Sequence, residues 1–298
     1  MKRLLNAAAR AAVIGTLLSG SAIAGAQPVA DADPAMWVVK DADTTIYLFG
    51  TFHALDGKTE WLNDEVKAAF DASDELVLEV IAPEDPAAMA PVMQKYAMDT
   101  SGKTLREKLS PQGREKLTKA LAAMGAPADA FDKLKPFFAA LTLTVMESQK
   151  LGMTNAQGSE AVLTKAAKAA SKPIGNLESV DFQIKMMADL PEKSQIEMLE
   201  QTLDQAHEMG KSFERMKALW TAGDAEGFAK LMHEMNASSP EAYDAIFTKR
   251  NANWAEWVDK RLDKPGTVFV AVGTGHLAGK NSVQELLEKR GIKSADAN

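Results

Sequence analysis

Two stretches that lie far apart in the chain share one layout, and together they decide the fold. "TTIYLFGTFHAL" covers residues 44–55, and "TVFVAVGTGHLA" covers residues 267–278. In each stretch, an apolar run rich in β-branched and aromatic residues leads into Gly-Thr-x-His. Such runs predict buried strands, and the glycine allows a sharp turn directly after each strand. Each strand therefore delivers a histidine, His53 or His276, at its carboxyl end.

The remaining strand signals also lie towards the two ends of the chain. Residues 36–40 and 44–49 flank "DAD" and predict a β-hairpin, and "ELVLEV" (75–80) predicts a third strand. Residues 86–262 mostly follow a helical period, interrupted by a predicted strand in "KPIGNLE" (172–178). We therefore predict an α/β (α+β) fold: a central mixed sheet built from the N- and C-terminal halves, flanked by helices, with a large helical insertion.

Apolar residues recur at three- and four-residue spacing from Ser194 to Trp220, which predicts one long helix. Its apolar face is compatible with a lid over the site or with the contact of a homodimer. A closing helix is predicted over residues 282–289.

The N-terminus has the composition of an export signal. Three basic residues lie before or next to a short apolar run at residues 11–18, and small-x-small triplets follow at 22–26. We expect a cleaved signal peptide (1–26), a linker (27–35) and one α/β domain (36–298). The protein is then periplasmic or secreted, and no later stretch is apolar enough to span a membrane after cleavage.

Composition excludes several classes of function. Removal of the three basic residues of the signal takes the net charge from −7 to −10, and no basic run remains, which argues against a nucleic-acid partner. Cysteine is absent, so disulfides, thiol nucleophiles and thiolate metal sites are excluded.

Two carboxylates join the histidines as candidates. Glu79 lies late in the strand "ELVLEV", and Glu178 ends "PIGNLE". Ligand sites collect at the carboxyl ends of strands, and two His with two Glu suit a divalent metal that holds a reactive water. Glu79 could instead face outward, and Glu178 could cap the following helix. Arg250 is compatible either with a surface patch or with an inward anion clamp.

Other motifs fail on spacing. "GTGHLAG" (273–279) has the pattern GxGxxxG and not the dinucleotide fingerprint. His207-Glu208 and His233-Glu234 lack the second histidine of HExxH, and we expect both pairs to be solvated. Neither a GxSxG elbow nor a GxxxxGK[ST] phosphate loop occurs in the sequence.

The two GxxH motifs, the glutamate after a strand between them, "GNLES" followed by "FQ", the "RN" of a late helix and "VFVAVGTGHLAG" resemble the TraB/GumN family. That family is similar to the Tiki metalloproteases and, more distantly, to erythromycin esterases and haem-binding ChaN-like proteins. The resemblance covers residues 37–291. It implies a mixed sheet from two related halves, flanked by helices.

The resemblance also implies a function and a set of site residues. Tiki-like members are peptidases that depend on a divalent metal (Mn, Co or Zn), so the expected substrate is a peptide or a small molecule. The implied roles are metal ligation by His53, Glu79 and His276, close backbone approach at Gly50 and Gly273, a supporting or general-base carboxylate in Glu178, and an anion clamp in Arg250 with Asn251.

The chain departs from the family pattern at two places. Gly158-Ser159-Glu160 stands where the family has Gly-x-Asp, which makes Glu160 a further candidate ligand. The tail "GIKSADAN" is polar, so the last strand is expected to be weak or absent. Two other functions remain open: a periplasmic haem- or metal-binding protein without catalysis, and a degenerate scaffold whose insertion binds a partner.

Overall fold

The computed structural model describes residues 30–83, 85–235 and 240–297. The predicted signal peptide and residues 27–29 of the predicted linker lie outside the described residues. The strands are β1 (Ala30–Asp31), β2 (Met36–Lys40), β3 (Thr44–Thr51), β4 (Thr59–Glu60), β5 (Glu75–Val80), β6 (Ile174–Glu178), β7 (Gly266–Gly273) and β8 (Ser294–Asp296).

Helices occupy most of the region between β5 and β7. The α-helices are α1 (Asp64–Ala72), α2 (Ala90–Tyr96), α3 (Leu105–Lys108), α4 (Pro111–Ala123), α5 (Pro136–Lys150), α6 (Ser159–Ala169), α7 (Val180–Ala188), α8 (Glu192–Gln205), α9 (Met209–Thr221), α10 (Ala225–Met235), α11 (Pro240–Tyr243), α12 (Lys249–Leu262) and α13 (Val283–Glu288). A π-helical segment, Asp244–Thr248, joins α11 to α12. Short 3₁₀ turns cover Pro86–Met89, Asn155–Gln157 and Thr274–His276.

Six strands form the central sheet in the order β6-β5-β7-β3-β2-β8. Strands β6, β5, β7 and β3 are parallel to one another, whereas β2 pairs antiparallel with β3 and with β8. The two opening stretches are neighbours, because β3 pairs with β7 along its whole length and Thr51 lies opposite Gly273. The predicted α/β class, the mixed sheet and the hairpin of β2 and β3 are confirmed.

The sheet is buried on both faces because its strands alternate. In β7, Phe269 and Ala271 face one apolar layer, which contains Phe49, Trp61 and Trp220. Val268, Val270 and Val272 face a second layer, where α12 and α13 pack. Period-2 alternation sends successive side chains to opposite faces, so a strand that reads as a continuous apolar run is buried on both sides.

The helical middle has a hydrophobic core of its own. Helices α3, α4, α5 and α8 share a cluster of buried leucines and smaller apolar residues that is separate from the two layers on the sheet: Leu105, Leu117, Leu121, Leu143, Leu199 and Leu203. These four helices therefore pack together beside the sheet, whereas α6, α9, α10 and α12 pack on it.

One element differs from the sequence-based expectation. The single helix predicted from Ser194 to Trp220 is wrong: a turn at residues 206–208 separates α8 from α9. Ala206 and Glu208 keep right-handed helical dihedrals through this turn, so the apolar spacing continues across it. The last strand is present but weak, with three residues of β8 paired at the edge. No helix in the described part of the chain is long and apolar enough to cross a membrane.

Candidate functional site

The candidate site lies at the carboxyl edge of the four parallel strands. His53 follows β3, Glu79 lies near the end of β5, Glu178 ends β6, and His276 follows β7 in a 3₁₀ turn. Because parallel strands end at a common edge, the fold brings these four side chains to one region of the surface.

His53 forms a pair with Glu160 at the start of α6. Its Nδ1 atom lies 2.6 Å from Oε1 of Glu160, and the same oxygen accepts a hydrogen bond of 2.5 Å from the Thr51 hydroxyl. The Glu160 carboxylate raises the pKa of His53 to about 9, and the His53 charge in turn lowers the pKa of Glu160 against its burial. The His53 side chain is 61 % exposed, so solvent weakens this coupling. His53 is thus oriented by Glu160 and reachable from outside.

The backbone around Gly158 positions the His53–Glu160 pair. The Ser159 hydroxyl accepts a 3.0 Å hydrogen bond from the Phe52 backbone N–H, and the Ser159 N–H donates to the Phe52 carbonyl at 3.1 Å. A Cβ atom on Gly158 would lie 2.1 Å from the carbonyl oxygen of His53. Only glycine allows the start of α6 to approach the His53 loop this closely.

His276 has the opposite environment. Its side chain is buried between the rings of Phe247 and Trp254, with centroid distances of 4.8 and 4.4 Å. Its Nδ1 atom lies 2.6 Å from Oδ1 of Asn251, whose amide nitrogen donates to the carbonyl of Asn281 at 2.8 Å. The Asn251 oxygen therefore faces the ring, which assigns the proton to Nδ1 and leaves Nε2 as the acceptor. Burial lowers the pKa of His276 to about 3, so the ring is neutral at physiological pH.

The two imidazole rings both lie next to Gly273. A Cβ atom placed on Gly273 would lie 3.4 Å from Nε2 of His53 and 3.5 Å from Cδ2 of His276. Gly50 is more constrained in the neighbouring strand, since a Cβ there would lie 2.8 Å from the Thr274 hydroxyl oxygen. Gly50 thus lets β3 pack closely against Thr274, whereas a Cβ on Gly273 would make ordinary contacts with the two rings.

Arg250 points inward, and its guanidinium is fully engaged. Its Nε donates to both carboxylate oxygens of Glu178 at 3.0 Å, and its Nη2 donates to Glu79 and lies 2.9 Å from Oε2 of Glu178. Its Nη1 donates to the carbonyl of Ile246 at 3.0 Å and lies 3.4 Å from Nε2 of His276. The contact with His276 is the longest of these and the one most easily exchanged for a substrate oxygen.

The two buried glutamates differ in how much of each carboxylate is occupied. Besides the guanidinium, Glu178 accepts hydrogen bonds from Trp254 at 2.8 Å and from Gln183 at 3.1 Å. Glu79 accepts from Gln183 at 2.8 Å through Oε1, whereas its Oε2 accepts, within the described part of the chain, only from the Gly273 N–H, at 3.3 Å. The nearby positive charge lowers the pKa of Glu79 to about 2 in spite of its burial. Glu178 is placed to hold the guanidinium, and Glu79 retains an oxygen for a further partner.

Three site residues were missed by the sequence-based reasoning: Gln183, Trp254 and Phe247. Trp254 lies four positions after Arg250, on the same helical face, and the centre of the guanidinium lies 4.7 Å from the Trp254 ring. The spacing alone could have indicated this pair. Phe247 lies in the π-helical segment, and sequence spacing gives no signal for such a segment. The two His-Glu pairs at 207–208 and 233–234 stay outside the site, as expected.

The residues fit a divalent cation by charge and by donor type. Two carboxylates, Glu79 and Glu178, hold the Arg250 guanidinium, and a third, Glu160, raises the pKa of His53 and so favours positive charge beside it. Both histidines have Nδ1 bound to a side-chain oxygen, which is the arrangement of metal-ligating imidazoles. No three His, Asp or Glu side chains within residues 30–83, 85–235 and 240–297 form a ready-made coordination group.

Fold and site together define an α/β protein with a mixed sheet whose parallel strands present two histidines and a buried Glu-Arg-Glu cluster at one edge. The chain belongs to the TraB/PrgY/gumN family, whose model matches residues 35–295.

The chain is similar to several uncharacterized proteins. The chain is 25 % identical over 256 residues to the uncharacterized protein YbaP of Escherichia coli strain K12, which covers 85 % of this chain and 92 % of that protein. YbaP of Shigella flexneri matches to the same extent. An uncharacterized protein of Treponema pallidum is 22 % identical over 268 residues, 85 % of this chain and 80 % of that protein. No solved structure matches the chain.

Proposed function

We propose that the protein is a metal-dependent hydrolase, of the Tiki-like peptidase type, and that its active site is the strand edge between His53 and His276. The observation that supports this best is the matched anchoring of the two rings. Each Nδ1 lies 2.6 Å from a side-chain oxygen, and among the described residues the one polar contact of either Nε2 is the 3.4 Å approach of Arg250 Nη1 to His276. Two imidazoles prepared in this way beside a buried anionic cluster are suited to holding a divalent metal.

His53, His276 and Glu79 are the residues that would hold the metal (Mn, Co or Zn). Glu79 stays ionised at neutral pH and has Oε2 available, and neutral His276 offers a lone pair at Nε2. When bound, the metal supplies an ionised water and polarises the carbonyl group that is attacked.

The chain's own side chains orient the two histidines and balance the charge of the site. Glu160 accepts a hydrogen bond from Nδ1–H of His53, and Asn251 Oδ1 accepts one from Nδ1–H of His276. Glu178 fixes Arg250, and the long contact of Arg250 Nη1 to His276 is the position at which a substrate oxygen can accept instead. Glu160 therefore serves as the orienting partner of His53, which differs from direct ligation.

The two other functions predict different results. A haem iron would have to reach His276 Nε2, but this ring is 5 % exposed and covered by Phe247, Trp254 and Arg250. This burial favours a small ion over a macrocycle.

Export to the periplasm, inferred from the N-terminal composition, is part of the proposal and is tested by fractionating cells that express the full chain.

The test measures metal and activity together. The protein is stripped with EDTA, reloaded with Mn²⁺, Co²⁺ or Zn²⁺, and examined by elemental analysis and by mass spectrometry of a peptide mixture. We expect about one metal per chain and peptide cleavage, both lost in His53→Ala and His276→Ala. His207→Ala is the matched control, because His207 lies in the turn between α8 and α9 with 76 % of its side chain accessible. Metal binding without cleavage of any peptide would support the non-catalytic alternative.

A further inference from the structure

A cavity of about 960 Å³ lies on the far side of Arg250, between α7 and the segment from α11 to α12. Its size is at the upper end of the range for small-molecule sites, which is about 300–1,000 Å³. It therefore has room for more than one side chain of a ligand. Arg250 is the member of the buried polar cluster that lines it.

The walls of this cavity, named the α7–α12 cavity here, are mainly apolar. Six apolar residues line it: Phe182, Met186, Leu190, Pro191, Pro240 and Ala245. Met186 packs against the buried Leu190 and Ala245, so this wall is part of the protein's core. Phe182 is 43 % exposed, which is unusual for a large aromatic side chain. Methionine and phenylalanine walls accept apolar groups of several shapes.

Most of the charges around the cavity are paired. Three cationic and three anionic side chains line it: Lys185, Lys249, Arg250, Asp189, Glu241 and Asp244. Lys185 pairs with Asp189, Lys249 lies 3.2 Å from Asp244, and Arg250 is held by Glu79 and Glu178. The Glu241 carboxylate accepts a hydrogen bond from the Ser194 hydroxyl. Because each cation of the lining already faces a carboxylate, the cavity disfavours an anionic occupant, and its apolar wall favours an apolar one.

We infer that the α7–α12 cavity binds uncharged apolar side chains of a peptide substrate, adjacent to the bond that the strand-edge site hydrolyses. Arg250 connects the two places, because it lines the cavity and lies 3.4 Å from Nε2 of His276. An occupant seated against Arg250 is thereby separated from His276 by one side chain. That the bound peptide is hydrolysed rests on the proposed function, whereas the binding of apolar side chains in the cavity does not.

Binding can be measured without catalysis. The probes are acetyl-Ala-Met-Leu-Ala-amide and acetyl-Ala-Gln-Asn-Ala-amide, whose central side chains are similar in size and differ in polarity. Saturation-transfer NMR on the EDTA-treated protein should show at least tenfold tighter binding of the Met-Leu peptide. Phe182→Ala and Met186→Gln should each weaken that binding several-fold. Leu141→Ala is the matched control, because Leu141 is 45 % exposed and lies on α5, away from the cavity.

The outcomes separate the two proposals. Selective binding that depends on Phe182 and Met186, without peptide cleavage after metal reloading, supports the cavity and overturns the hydrolase. Cleavage with no preference for Met-Leu, or with the same preference in Phe182→Ala, overturns the cavity inference and leaves the hydrolase standing. Equal binding of the two probes by the unmodified protein overturns the cavity inference as well. Circular dichroism of each variant verifies that the fold is retained.

Discussion

Arg250 bridges Glu79 and Glu178, with its Nε donating at 3.0 Å to both oxygens of Glu178 and its Nη2 reaching Glu79. All three side chains are less than a tenth exposed. Burial of charges on this scale is tolerated because each has partners of opposite sign and further hydrogen bonds. This bridge ties α12 to β5 and β6 at the edge where the site lies.

Removing the cation should therefore destabilise the protein strongly. Arg250→Met leaves two buried carboxylates without a counter-charge, and we expect the free energy of unfolding to fall by about 3–5 kcal/mol. Arg250→Lys keeps the charge but cannot form the same set of hydrogen bonds, so a smaller loss is expected. Urea denaturation at neutral pH measures both.

Lys260→Met is the control for this prediction, because Lys260 pairs with Glu256 on the exposed face of the same helix. We expect little change from it. A stability of Arg250→Met equal to that of Lys260→Met would contradict the view that the buried bridge holds the site together.

The bond between Asn251 and His276 should control metal affinity. Asn251→Leu removes the oxygen that fixes the Nδ1 proton, and second partners of this kind are worth about 10–100-fold in metal affinity. Asn251→Asp retains an acceptor oxygen, so it should bind metal more tightly than Asn251→Leu. Competition with a chromophoric chelator gives the affinities. Equal affinities in the two variants would show that this bond does not orient a ligand.

The metal-free protein should be most stable near pH 6.5, the ordinary pKa of histidine. The folded-state pKa of His276 is lowered to about 3, so the unfolded state binds more protons below pH 6.5 and stability falls as the pH decreases towards 3. The folded-state pKa of His53 is raised to about 9, so its stabilisation is complete below pH 6.5 and is lost as the pH rises towards 9. Since His53 is largely exposed, the alkaline loss should be the smaller one.

Single variants assign the two limbs of this profile. In EDTA, the urea midpoint of His276→Gln should stay nearly constant as the pH decreases from 6.5 to about 4.5. Below about pH 4.5, protonation of Glu79 also lowers the midpoint. His53→Gln should flatten the alkaline side and leave the acid side unchanged. A profile that keeps both limbs in both variants would rule out these histidines as the cause.

The sequence predicted the sheet because its strands are strongly apolar and its two repeats match. Strands β3 and β7 are buried on both faces, and strands of this kind occur in sheets that helices cover on both sides. The sequence did not determine whether Arg250 points to the surface or into the protein. The apolar residues Trp254, Ala255 and Val258 mark the buried face of α12 on which it lies. The role of Glu160 depended on the approach of α6 to the His53 loop, which is a tertiary contact between residues 107 positions apart.

The close approach at Gly158 yields a test of how the His53–Glu160 pair is held. In Gly158→Ala, the new methyl group would overlap the His53 carbonyl, so the start of α6 must move away from β3. We expect a loss of about 1–3 kcal/mol in the free energy of unfolding, typical of overpacking, together with weaker metal binding. Gly175→Ala is the matched control, because its Cβ would meet only Val77, at an ordinary contact of 3.6 Å. Urea denaturation and the imidazole NMR signals of His53 check both effects. If Gly158→Ala retained the His53 pKa and the stability of the unmodified protein, the pair would have to be positioned by the Ser159 hydrogen bonds instead.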